Sequence, residues 1–132
     1  MIDCENEVYT RLAGVLREEF PGINLTGEYL NTPPKFPHVS IILSDNSVIR
    51  NRLGTNNDET AICMFEINVY SNKSSGKKSE CKAIMAVIDE VLMSMNFVRL
   101  SMNPVPNLED ASIYRIVSRY RVATDGKFFY RR

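Results

Sequence analysis

The chain has 132 residues, enough for one domain with a substantial core, and 44% of them are hydrophobic while 24% are charged. Its 16 basic and 16 acidic residues cancel to a formal net charge of zero, which argues against a whole-protein role in binding nucleic acid or anionic membranes. No apolar run reaches the roughly 18 residues that a membrane span needs, and the acidic start of the chain does not resemble a secretion signal.

Residues 3–20 are predicted to form an amphipathic helix. Asp3 is a suitable N-cap, and Pro21 with Gly22 ends the pattern. The apolar positions recur at helical spacing along one face: Val8, Leu12, Leu16 and Phe20. Residues 23–30 predict a weaker strand and residues 38–44 a clearer one, because apolar residues alternate in the latter.

The stretch 45–60 is polar and has no sustained apolar period. The sequence leaves open whether it is a long loop or a hairpin. Since long loops in compact domains are commonly functional, we expect 45–60 to be a long loop that contacts partners. Its candidate interface residues are Arg50, Arg52 and Leu53.

The remaining elements are a strong strand over 61–70, a helix whose apolar stripe runs from Cys81 to Met95, and two strands over 97–102 and 112–122. Asn96 is a reasonable stop for the helix. The order is helix, two or three strands, helix, two strands. This order predicts a single α+β domain over residues 1–132, with one mixed or antiparallel sheet and its two helices packed on one face.

Catalytic and metal-binding patterns are absent from the sequence. His38 is the only histidine, and no nucleophile or orienting carboxylate is placed beside it, so we interpret it as a surface or strand-edge residue. Cys4, Cys63 and Cys81 have neither zinc-ligand spacing nor the even number of a disulfide framework. No glycine-rich phosphate loop is present. We therefore expect no catalytic residue, no cofactor and no metal.

The strand over 112–122 has two different sides. One side carries Tyr114, Ile116, Ser118, Tyr120 and Val122, and the other carries Arg115, Arg119 and Arg121. Such arginines bind phosphate or a neighbouring subunit's carboxylates, or they simply pair with acids on the adjacent strand. The sequence leaves these alternatives open.

The chain ends with three consecutive aromatic residues between basic ones: Phe128, Phe129 and Tyr130. A free terminus does not normally expose such a cluster. Two alternatives follow, namely that the segment docks on its own domain as an edge strand or that it docks on a partner. Together with the arginines of the preceding strand, these aromatics are candidate interface residues.

Several segments together resemble the tail terminator (tail completion, or tail-to-head joining) proteins of long, non-contractile-tailed bacteriophages. They are the opening helix, the strand ending in FEINVYS (65–71), the helix KAIMAVIDEVLMSMNF (82–97) and the end segment 102–132. The end segment is the most specific of them, since it combines a polar loop, a strand rich in Arg and Tyr, and a final element of glycine, aromatics and arginines.

This resemblance implies a structural virion protein that is made in the host cytoplasm and located in the neck region of the tail. Its copies would form a six-subunit ring that caps the head-proximal end of the tail tube, stops polymerisation and joins the tail to the head connector. The implied partners are other copies of the chain, the tail tube protein and the connector or head-completion protein. DNA would only pass through the channel, and no membrane is involved.

Two other interpretations remain open at this point. One is a head-completion or connector subunit of the phage neck, and the other is a ferredoxin-like nucleic-acid-binding module. A small enzyme is the least favoured, because His38 has no partners in the sequence pattern.

Overall fold

A computed structural model describes residues 1–30, 32–50, 59–107 and 110–131, with side chains except those of residues 49, 50 and 59. The elements, in chain order, are α1 (Glu5–Glu19), β1 (Asn24–Thr26), β2 (His38–Arg50), β3 (Glu59–Ser71), α2 (Lys77–Ser94), β4 (Val98–Pro104), β5 (Tyr114–Thr124) and β6 (Phe129–Tyr130). Both predicted helices and all the predicted strands are present, and β6 is an additional short strand.

Within the described residues, six strands form one mixed sheet in the order β1-β2-β3-β5-β4, with β6 pairing on β5 beyond the end of β4. The β1–β2 pair is parallel and the other pairs are antiparallel. The predicted α+β class, with one sheet and two helices, is confirmed. The register shifts at Ser44 in β2 and at Leu100 in β4, where single extra residues interrupt the pairing.

The core lies between the helices and one face of the sheet. Val8, Leu12 and Leu16 of α1 are fully buried, as their spacing predicted, and they belong to one apolar cluster with Ile84, Ile88 and Leu92 of α2. The alternating residues Cys63, Phe65, Ile67 and Val69 of β3 complete this cluster from below. Burying these side chains supplies most of the driving force for folding.

The helix ends follow local rules with small differences from the sequence expectation. The first residue of α1 is Glu5, two residues later than predicted, and the N-cap is Cys4, so the prediction of Asp3 as the N-cap is wrong. The Asp3 carboxylate nonetheless accepts a hydrogen bond from the Glu5 N–H at 3.0 Å. Asn96 has a φ of 70°, a left-handed conformation that asparagine tolerates, and α2 ends just before it. The predicted stop at Asn96 is therefore confirmed.

The expectation of a long loop over 45–60 is wrong at both of its ends. Residues 45–50 continue β2, residues 59 and 60 begin β3, and Asp45 to Arg50 pair with Met64 to Glu59. The hairpin alternative is thus the correct one for these residues. Residues 45–50 lack an apolar period, but they form a strand because their backbone groups pair with β3. Residues 51–58, with Arg52 and Leu53, lie outside the described residues.

Candidate interaction surface

The face of the sheet opposite the helices, here called the open face, carries the arginines of β5. On the helix side of the same strand, the Ser118 hydroxyl lies 3.1 Å from the sulfur of Met85, and the Tyr120 hydroxyl donates to Asp89 Oδ1 at 2.8 Å. Because residues of a strand alternate between the two sides of a sheet, the arginines of β5 lie on the open face, as the sequence pattern predicted. They are Arg115, Arg119 and Arg121.

Arg115 is held by contacts within its own chain. Its Nε and Nη2 donate to Oδ1 of Asn68 at 3.0 and 2.7 Å. Its guanidinium also lies over two aromatic rings, 5.1 Å from the centre of Tyr29 and 5.6 Å from that of Tyr70. Because amide oxygen and both rings already surround it, Arg115 acts mainly as an internal clamp between β5, β3 and the segment after β1.

One end of the open face is closed to solvent. His38, Ser40, Asn68 and Tyr70 lie on this face, yet all are fully buried. The segment between β1 and β2 supplies the cover, since the Tyr29 ring stacks on Arg115 and Pro33 is itself buried. Burial raises the pKa of Tyr70 to about 12, an effect that Arg115 partly opposes. A partner therefore cannot reach this end without moving the covering segment.

Arg119 lies on the accessible part of the open face. Its Nη2 is 2.9 Å from Oε1 of Glu66 on β3, and the two side chains are 49% and 22% exposed. Asn68 donates to the other oxygen of Glu66 at 3.2 Å, so Glu66 links the contacts of Arg119 and Arg115. Of the alternatives that the sequence left open for Arg119, the structure shows pairing with an acid on the adjacent strand. Such half-exposed pairs contribute under about 1 kcal/mol, so a competing partner can replace this one.

The aromatic tail docks on its own domain. Phe129 and Tyr130 pair with Thr124 and Ala123 of β5. The Phe129 ring packs 6.0 Å from the ring of Phe97 at the core. Phe128 and Tyr130 point away and stay 63% and 47% exposed. Of the two sequence alternatives, the edge strand is the one observed, and it leaves two aromatic side chains on the surface.

His38 is neither a surface residue nor a catalytic candidate. Its Nδ1 accepts from the Asn24 amide at 2.8 Å, so the ring proton is on Nε2, which lies 3.2 Å from the hydroxyls of both Thr26 and Ser40. Burial lowers the pKa of the imidazole. The interpretation as a surface or strand-edge histidine is therefore wrong. Parallel pairing of β1 on β2 buries the ring, and local sequence patterns do not reveal such pairing.

The sequence patterns did not reveal the polar contacts of Asp89 on α2. Its Oδ1 accepts from the buried Tyr120 hydroxyl at 2.8 Å and lies 3.3 Å from Arg99 of β4. The available signal was its position, four residues after the buried Met85 and therefore on the same side of the helix. Asp89 thus joins α2 to both β5 and β4.

The search for metal sites finds no group of three or more His, Cys, Asp or Glu residues in the described part of the chain that could hold an ion. All three cysteines are buried free thiols. No helix among residues 1–30, 32–50, 59–107 and 110–131 has the length and apolar character of a membrane span.

Comparison with solved structures finds a chain of the virion of a native gene transfer agent (GTA) particle with a similar fold. The TM-score is 0.61, and the match covers 86% of this chain and 88% of that chain at 19% sequence identity. At this identity the likeness establishes a shared fold. No protein-family model matches the sequence, and a search of curated proteins finds no match.

Proposed function

We propose that this chain is a structural, non-enzymatic protein of a phage-like virion and acts as a tail terminator. Six copies would form a ring on the head-proximal end of the tail tube, stop its polymerisation and join the tail to the head connector. The observation that carries this proposal is the fold shared with a GTA virion chain over 86% of the sequence. The sequence resemblance to tail terminators supports the same role.

Three of the segments that carry the resemblance, all except the opening helix, are neighbours in the fold. The FEINVYS segment is the end of β3, the second helix is α2, and the end segment spans β4, β5 and β6. β3 and β5 pair along their length, and β4 and β6 both pair on β5. The resemblance therefore covers a contiguous part of the fold and is not scattered over unrelated elements.

The surface also fits an assembly role. Phe128, just before β6, and Tyr130, on β6, keep much of their aromatic side chains exposed, and aromatic residues are enriched in protein interfaces. Arg119 lies on the accessible part of the open face, where a neighbouring subunit or the channel can compete for its half-exposed ion pair, and Arg121 lies on the same face of β5. The hairpin end at Arg50 extends past Thr124, where β5 stops pairing with β3. Such an arm is suited to contact the tube or the connector, together with Arg52 and Leu53.

The arrangement favours assembly over a nucleic-acid-binding module. Stacking platforms for bases need aromatic and basic side chains on one exposed face. Here Tyr120 is buried on the helix side and Arg115 is enclosed between tyrosine rings on the other. Within β5, therefore, no aromatic side chain shares an exposed face with the arginines.

The test is to polymerise the cognate tail tube protein with and without the purified chain and to image the products by electron microscopy. We expect shorter tubes with ring-shaped density at one end when the chain is present. Tubes of unchanged length with bare ends would refute the terminator role. Density on isolated necks and none on tubes would instead identify a connector or head-completion subunit.

A further inference from the structure

A groove runs between α2 and β4 along one edge of the sheet. Its main part has a volume of about 480 Å³. The floor is apolar and consists of Met85, Met102, Pro104 and Ile116. A second, smaller hollow of about 280 Å³ continues it past Met93 and Phe97. The Arg99–Asp89 ion pair lies between the groove and this smaller hollow, since Arg99 and Asp89 line both.

The rim of this groove is basic. Lys78 and Lys82 stand four residues apart on the same face of α2, an arrangement that is electrostatically unfavourable within the helix. Neither lysine forms an ion pair with another described residue. Among the described residues, the only acid of the rim is Asp89, and it is already bound to Arg99 and Tyr120. An apolar floor under unpaired cations fits a surface that presents apolar groups flanked by carboxylates.

The opposite edge of the same sheet has the complementary charge. β1 ends the strand order on that side, and a depression of about 470 Å³ lies between it and the start of α1. Glu5 and Glu28 line this depression with the half-buried ring of Tyr9, and none of the described residues that line it is basic. The molecule therefore has a basic edge at α2 and β4 and an acidic edge at α1 and β1.

We propose that the acidic edge of one copy docks on the basic groove of the next copy. This inference rests on the proposed ring and assigns the contact between its subunits. Two different surfaces on opposite edges meet, which is the heterologous geometry that closes a ring. The register shift at Leu100 interrupts the free edge of β4, so the contact is made by side chains and not by a continued strand ladder. Tyr9 is the apolar anchor, and Glu5 and Glu28 face Lys78 and Lys82.

The experiment uses two charge-reversed full-length variants. One is Lys78→Glu with Lys82→Glu, and the other is Glu5→Lys with Glu28→Lys. Each is compared with wild type by sedimentation velocity over a range of concentrations at low salt, with circular dichroism to verify folding. The matched control is Lys35→Glu with Lys127→Glu, which reverses two exposed lysines that line neither the groove nor the depression.

We expect each edge variant alone to self-associate about tenfold more weakly than wild type, because the reversed edge now repels its partner. An equal mixture of the two variants should associate as wild type does, since every contact in an alternating assembly again joins opposite charges. The control should match wild type, and added salt should weaken wild-type association.

Three results of the sedimentation experiment would overturn the proposal. They are edge variants that associate like wild type, a mixture that restores nothing, and a wild type that stays monomeric at every concentration. Tube capping by these same variants, measured separately, distinguishes the two proposals. If the edge variants associate like wild type and still cap tubes, the terminator role stands and only the proposed contact between the acidic edge and the basic groove is wrong. Binding of wild type to DNA through Lys78 and Lys82, with no self-association, would identify the groove as a nucleic-acid surface and would also overturn the proposal.

Discussion

Arg115 donates both Nε and Nη2 to the single amide oxygen of Asn68, at 3.0 and 2.7 Å, across the β3–β5 pair. The amide nitrogen of Asn68 in turn donates to Glu66 at 3.2 Å. Through this contact an arginine that looked like an interface residue in the sequence becomes part of the internal structure. The arginines of β5 therefore differ in role, although they alternate regularly along one strand.

Replacing Arg115 should reduce stability more than replacing Arg119 does. We expect Arg115→Lys to lower the free energy of unfolding by about 1–3 kcal/mol, because a lysine cannot make the paired hydrogen bonds or stack flat between Tyr29 and Tyr70. Arg119→Lys is the matched control and should change stability by less than about 1 kcal/mol, since its ion pair is half exposed. Urea denaturation measures both. Equal losses in the two variants would contradict the clamp role of Arg115.

Two buried tyrosines provide a second matched pair. The Tyr120 hydroxyl donates to Asp89, so Tyr120→Phe should cost about 1–2 kcal/mol. The Tyr70 hydroxyl is buried and makes no hydrogen bond of good geometry with another described residue, although the Ser40 hydroxyl lies near enough to interact with it. Removing it in Tyr70→Phe should leave stability unchanged or raise it by about 1 kcal/mol. Thermal unfolding of both variants distinguishes them, and a larger loss in Tyr70→Phe would show that its hydroxyl has a partner.

Stability should depend on pH through His38. Its pKa is lowered from 6.5 in the folded state by burial, so the unfolded chain binds the proton more readily. The free energy of unfolding should therefore be highest above pH 6.5 and fall as the pH drops from 6.5 toward the lower folded-state pKa. Asp110 and Asp125 also have lowered pKa values, but their contributions are lost only below 3.8.

The check is urea denaturation of wild type and His38→Asn between neutral pH and pH 5. The variant should be less stable at neutral pH, because the hydrogen bonds of the imidazole are altered, and nearly independent of pH across this range. A wild-type profile that stays flat between pH 7 and 5 would show that the imidazole can take up a proton without cost in the folded protein.

Substitutions of the terminal aromatic residues should differ in their effects on stability and on assembly. Phe129→Ala should lower stability by about 2 kcal/mol, because its ring packs against Phe97 at the core. Phe128→Ser should change stability by less than about 0.5 kcal/mol, since its side chain is largely exposed. In tube-capping assays Phe128→Ser should nonetheless reduce ring formation. Normal capping by Phe128→Ser would remove this residue from the proposed interface.

The sequence by itself determined the order of the main helices and strands and, within each, which side its residues take. The spacing of Val8, Leu12 and Leu16 indicated the buried face of α1, and alternation separated the arginines of β5 from Tyr120. These features depend on the local period of a helix or strand, which neighbouring residues specify. The class of fold followed from the order of those elements.

Only the tertiary structure decided what those side chains contact. It buried His38 under the β1–β2 pair, enclosed Arg115 between Tyr29 and Tyr70, docked Phe129 on Phe97 and extended β2 through the polar residues 45–50. It also brought Lys78 and Lys82 to the groove beside β4. The physical reason is that strand pairing and burial join residues far apart in the chain, and such contacts leave no periodic signal in the sequence.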